Sequence, residues 1–157
     1  MEFEEIYNTY NQKIFRLCMS YSNDRDLAKD LTQETFIQVW TNLSKFRNES
    51  SIGTWIFRIA SNICLRQIER FKRNITSELP FQIEEKQEES NDAQIAFLYK
   101  CISVLPETDR LIISLVLEER PQKEIAEILG ISEGNIRVKI HRIKQLLTKK
   151  FNENEKL

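Results

Sequence analysis

Glycine and proline are scarce, three of each in 157 residues, and no position in the first fifty holds either. Helix breakers are therefore confined to Gly53, Pro80, Pro106, Pro121, Gly130 and Gly134, which punctuate the chain rather than pervade it. Alternating apolar and polar runs of useful length are also missing, which excludes a sheet-based fold, and no segment repeats. Cys18, Cys64 and Cys101 are odd in number and far apart, which excludes both a disulfide framework and a cysteine metal site. They are expected as reduced core residues. Cys64, near Arg58 and Arg66, is the one candidate for a reactive thiol. There is no apolar run of about 18 residues, and the start, MEFEEIYNTY, has neither the basic leader nor the apolar stretch of a secretory signal. A soluble cytoplasmic protein with no membrane insertion is expected. Net positive charge is lacking too: 23 Lys and Arg face 24 Asp and Glu, so any nucleic-acid surface must come from uneven placement of charge.

What remains is helical periodicity. Phe3, Ile6, Tyr7, Tyr10, Ile14, Leu17, Cys18 and Tyr21 recur at three- and four-residue steps, predicting one amphipathic helix with these residues on its inner face. SYSNDRD then offers Ser22 or Asn23 as an N-cap, with Asp24 and Asp26 suited to the positive end of a second helix running to about Leu43. After the polar loop SKFRNESS, Trp55, Ile56, Ile59 and Ile63 mark a third helix that completes a bundle. From Asn74 to Ala93 six acids meet one base, Lys86, and Pro80 interrupts any helix, so this stretch reads as an acidic linker. Further amphipathic helices follow, from Ile95 to Leu105 and from Pro106 to Leu117, with two more starts at Pro121 and Ser132. The expected architecture is all-α: a helical bundle over 1–73, an acidic linker over 74–93 and a second helical domain over 94–157.

The second domain carries a helix-turn-helix. In QKEIAEILGISEGNIRVKIHRIKQLL, Ile125, Ala126 and Leu129 form the inner face of a short helix, Gly130 supplies a left-handed turn, Ile131 plugs it and Ser132 caps the next helix. Ile136, Ile140, Ile143 and Leu147 then face inward, leaving Arg137, Val138, His141, Arg142 and Gln145 outward. The run from Asn135 to Lys150 contains no acid. A helix of this kind lies in the DNA major groove, with arginine available for guanine edges or phosphate, Lys139 and Lys144 for phosphate and Val138 for a thymine methyl.

The first half specifies which kind of helix-turn-helix protein this is. DRDLAKDLTQETFIQVWTNLSKFRNESSIGTWIFRIASNICLRQIERFKR resembles the first conserved domain of the extracytoplasmic-function (ECF) sigma factors of the sigma-70 family, and LPETDRLIISLVLEERPQKEIAEILGISEGNIRVKIHRIKQLL resembles the second. The likeness spans Glu2 to Phe151 apart from the linker. It implies an alternative sigma factor that binds core RNA polymerase, through the coiled coil of the largest subunit and the flap of the second largest, and directs initiation at promoter DNA. It also implies a separate anti-sigma factor, no cofactor and no catalysis. The residues implicated in core docking are Asp26, Asp30, Gln33, Glu34 and Ile37, an acidic face with an outward isoleucine. Those for the minus-ten element are Arg47, Asn48, Glu49, Ser50 and Ser51 in the loop, with Arg58, Asn62 and Arg66 recurring every four residues and Arg70, Lys72 and Arg73 extending the charge. For the minus-thirty-five element they are Lys123, Ser132, Asn135, Arg137, Val138, Lys139, His141 and Arg142. Trp55 fits the core better than a base stack. This chain departs from the family pattern at Ser61, Arg66 and Val138, which blurs its promoter preference.

Two other classes fit parts of the sequence. A two-component output regulator would share the KEIA and IS segments but bind duplex DNA alone, and its receiver would need strands that the first half lacks. A carboxylate enzyme would use Asp26, Asp30 and Glu34, at four-residue spacing, for a divalent metal. No histidine or pocket motif accompanies them.

Overall fold

The computed structural model describes residues 2–75 and 93–155, leaving aside the side chains of 68, 70–75 and 155. The expected acidic linker falls almost wholly outside the described residues, as do the Arg70, Lys72 and Arg73 side chains. Every element among the described residues is helical: α1 Phe3–Ser22, α2 Arg25–Asn42, a single 3-10 turn Leu43–Lys45, α3 Ile52–Ile75, α4 Ala93–Ser103, α5 Glu107–Leu117, α6 Gln122–Leu129 and α7 Glu133–Glu155.

The α1–α2 corner shows how local chemistry sets the frame. Asn23 takes a left-handed conformation (φ 50°) and its N–H closes α1 onto the Met19 carbonyl at 2.8 Å. Asp24, rather than Ser22 or Asn23, then caps α2 by accepting from the Leu27 N–H at 3.1 Å. Asparagine tolerates the left-handed region and an aspartate suits the positive helix start, so the two residues share the corner. Asp24→Ala is expected to cost about 1 kcal/mol and to lower Tm by about 2–4 °C; thermal denaturation followed by circular dichroism measures it.

α2 turns back along α1, and α3 packs against both. Ile6, Ile14, Leu17, Cys18, Ala28, Leu31, Val39, Ile56, Phe57, Ala60 and Ile63 are buried there. The inner face of α1 is narrower than its apolar pattern suggests. Tyr7 is 44% exposed and Phe3 only partly buried, because their rings project over the side of α2, where Tyr7 meets Phe36 (5.0 Å) and Phe3 meets Trp40 (5.0 Å) edge-on. Trp55 packs on the core, half-buried, with its ring 4.9 Å from that of Phe46 at the loop start.

In the second half, α7 crosses α4, α5 and α6, burying Ile136, Ile140, Ile143 and Leu147 at the expected steps. Ile125 and Ile128 are the buried residues of α6, whereas Ala126 and Leu129 are only partly covered. Gly130 holds φ 67°, where its missing Cβ is what permits the turn, and the Ser132 hydroxyl accepts from the Asn135 N–H at 3.3 Å to cap α7. The halves do not stand apart: α1 packs on α4 and α5, α3 packs on α6, and one cluster of buried residues runs through both.

Candidate functional site

α2 presents a continuous outer stripe. Asp26, Asp30, Gln33, Ile37 and Trp40 follow one another at steps of three and four and are all exposed, while Ala28, Leu31, Thr35 and Val39 are buried on the opposite side. The stripe is acidic near the helix start and apolar near its end, where Ile37 (58% exposed) and Trp40 (66%) border a shallow groove with Phe3, Tyr7 and Phe36. Glu34 stands partly buried on the flank. Trp40 extends this stripe beyond the residues expected from the sequence. Its signal was the three-residue step from Ile37, which sets two large apolar side chains side by side on a face with no core to cover.

The loop between the 3-10 turn and α3 is held at both ends. The Phe46 ring packs at a tilt against Trp55, and Ser51 caps α3 by accepting from the Thr54 N–H at 3.1 Å while its hydroxyl lies 2.8 Å from that of Thr54. Between these ends Arg47, Asn48 and Glu49 are exposed, Ser50 is partly covered, and Asn48 sits at φ 57°. Short polar side chains on a constrained, outward loop are suited to hydrogen bonding an unpaired base. On α3, Asn62 and Arg66 are exposed and Arg58 partly so, one turn apart in succession. Ser61 is fully buried, so it does not belong to this exposed stripe. Cys64 is buried as well, and a hydrogen bond with Cys18 together with burial pushes its thiol well above the ordinary range. That is the reverse of a reactive thiolate and removes the redox candidate.

On α7, Asn135, Arg137, Val138, His141 and Arg142 form an exposed stripe, flanked by exposed Ser132 and by Lys123 in the first turn of α6. The Ser132 hydroxyl is occupied as the cap. Lys139 is half-covered and pairs with Asp109 of α5 at 3.6 Å, so this candidate phosphate contact already has an intramolecular partner.

Two family models match the chain in succession. The sigma-70 region 2 family model matches residues 6–74, and the sigma-70 region 4 model matches 98–147. The ECF RNA polymerase sigma-E factor of Salmonella typhimurium is 30% identical over 159 residues, covering 90% of this chain and 82% of its own. The chain belongs to the ECF sigma factors. The ECF RNA polymerase sigma factor SigM of Bacillus subtilis is 28% identical over 158 residues, covering 97% of this chain and 96% of that protein. In fold, the sigma factor is similar to RpoE of Bartonella quintana, solved with the anti-sigma factor NepR: TM-score 0.83 at 19% identity, over 96% of each chain. Its function is that of an alternative sigma factor in promoter-directed transcription initiation.

Among the described residues, no helix is long and apolar enough to cross a membrane, and no three His, Cys, Asp or Glu side chains come together as a metal site.

Proposed function

We propose that this sigma factor divides its work among three surfaces. The α2 stripe of Asp26, Asp30, Gln33, Glu34, Ile37 and Trp40 grips the coiled coil of the largest core subunit. The 46–51 loop with Arg58, Asn62 and Arg66 reads the minus-ten element, and Lys123 with the outer face of α7 reads the minus-thirty-five element while the flap of the second-largest subunit holds that half. The α2 stripe carries the reading, because a regulator that acts on DNA alone has no use for an exposed isoleucine and tryptophan beside a row of carboxylates. Acids would match a basic partner helix and set its register, and the two apolar side chains would supply the desolvated contact. The chain acts by positioning polymerase on DNA in the cytoplasm. The Bartonella relative's complex supports a separate anti-sigma factor here as well.

Sequencing of transcripts made by purified core polymerase on genomic DNA, with and without the protein, tests the proposal. New transcript starts that share upstream elements support it, and an unchanged transcript set contradicts it. Within those promoters Arg142→Ala is expected to cost about 1–3 kcal/mol where the minus-thirty-five element matters, if Arg142 reads a base edge. Run-off transcription on promoters with and without that element measures the difference, and an equal loss on both reduces Arg142 to a phosphate contact.

A further inference from the structure

The loop over 46–51 is closed on a single turn of α3. Phe46, at its start, packs on the Trp55 ring, and Ser51, at its end, caps the Thr54 N–H, so the two ends are tied to neighbouring residues of one helix. The Ser51 carbonyl also accepts from the Trp55 N–H at 3.1 Å, and the Leu43 carbonyl from the Phe46 N–H at 3.2 Å. A chain that leaves and rejoins one helical turn over so short a loop must reverse its direction between the ties. The left-handed backbone of Asn48, φ 57°, supplies that reversal. Two other non-glycine residues among those described hold a positive φ, and each has a helix to close. The Asn23 N–H bonds the Met19 carbonyl at 2.8 Å at the end of α1, and the Glu119 N–H bonds the Val116 carbonyl at 2.9 Å after α5. Asn48 ends no helix. It stands beyond the 3-10 turn that finishes at Lys45, exposed, with exposed Arg47 and Glu49 on either side.

We infer that Asn48 is a positioning residue, whose left-handed backbone rather than its side-chain amide sets the path of the loop that meets the minus-ten base. The inference rests on the proposed minus-ten reading and changes the part Asn48 plays in it, from a hydrogen-bonding contact to a hinge point that others depend on. The left-handed region is open to glycine, tolerated by asparagine and costly for other residues, most of all those branched at Cβ. Because the ties lie at the ends of the loop, a residue that refuses this backbone lets the free loop relax into another path with little effect on the fold. The cost then falls on recognition. Only the fraction of molecules whose loop holds the reading path binds the base, and apparent affinity drops by that fraction. With Asn48 left-handed, Arg47 and Glu49 keep fixed places between the ties, and a base turned out of the strand meets polar groups that need no ordering on contact.

Holoenzyme assembled from core polymerase and the full chain tests the role by fluorescence anisotropy on a labelled non-template strand. The strand carries the minus-ten element of a promoter mapped from the protein's own transcripts, with each base also replaced in turn. Asn48→Gly is expected to bind within about threefold of wild type and to keep the same base preference. Asn48→Val is expected to lose about 5- to 30-fold and to flatten that preference, with Asn48→Ala between the two. The Tm of each free variant is expected to stay within about 2 °C of wild type, which separates positioning from a loss of fold. A glycine variant that loses as much as the valine variant overturns the inference, because the amide then reads the base itself. So does a valine variant that binds like wild type, or one whose loss of binding is matched by a comparable loss of stability. Arg47→Ala with Glu49→Ala separates this inference from the reading beneath it. If that pair weakens binding and Asn48→Val does not, the loop still reads and only the positioning role fails; if neither changes binding, the minus-ten assignment of the loop fails as well.

Discussion

Ile37→Asp is expected to weaken binding to core RNA polymerase by about 2–4 kcal/mol, ~30- to ~700-fold in Kd, while leaving the fold intact. The size of the effect follows from two features of the site. Ile37 lies towards the apolar end of the α2 stripe, between Gln33 and Trp40, and large apolar side chains that are exposed in the free protein and desolvated on docking are where binding energy concentrates. A carboxylate there loses that contact and must also be desolvated against the partner. Stability is a different matter. Ile37 is 58% exposed, so the free protein gives up little buried area, and a change within about 0.5 kcal/mol is expected. Fluorescence anisotropy with labelled core gives the affinity and urea unfolding gives the stability. Undiminished core affinity would remove α2 as the docking helix.

Phe57→Ala is expected to act in the opposite way, costing about 3–5 kcal/mol of stability and lowering Tm by about 6–20 °C. Phe57 is fully buried on α3, its ring meets Tyr10 edge-on at 6.5 Å, and its face carries the Arg120 guanidinium from the other half. Alanine leaves a cavity beneath a cation that then has no aromatic surface to rest on. Because the ring serves both halves, the loss should appear in one unfolding transition for the whole chain. Urea denaturation followed by both far-ultraviolet circular dichroism and tryptophan fluorescence checks this, and a loss below about 1 kcal/mol would contradict the packing described.

The parts of this protein that sequence revealed are those with a period or a local capping rule. Ile136, Ile140, Ile143 and Leu147 announce the buried face of α7, Gly130 and Ser132 its turn and cap, and Asp26, Asp30, Gln33 and Ile37 the outer stripe of α2. Errors arose where one residue fits two roles. Asn23 and Asp24 both suit a helix start, and the left-handed residue that α1 needs at its end decides between them. Phe3 and Tyr7 keep the apolar period of α1 but serve the edge of the groove, since a period marks a face without saying how far the neighbouring helix covers it. Cys64 has basic residues nearby in the chain, yet helical geometry turns it inward while Asn62 and Arg66 point out. The contacts between halves were invisible. Arg16 and Glu118 are 102 positions apart and Thr54 and Glu124 are 70, and single polar pairs at such separations leave no pattern in one sequence.

Core dependence of promoter recognition tests the central claim most directly. On a promoter identified from the protein's own transcripts, footprinting and abortive initiation are run with core alone, with the protein alone and with both. Only the mixture is expected to protect both elements, melt the minus-ten region and yield initiated transcript. Tight, sequence-specific protection by the protein alone, unchanged when core is added, would contradict the account.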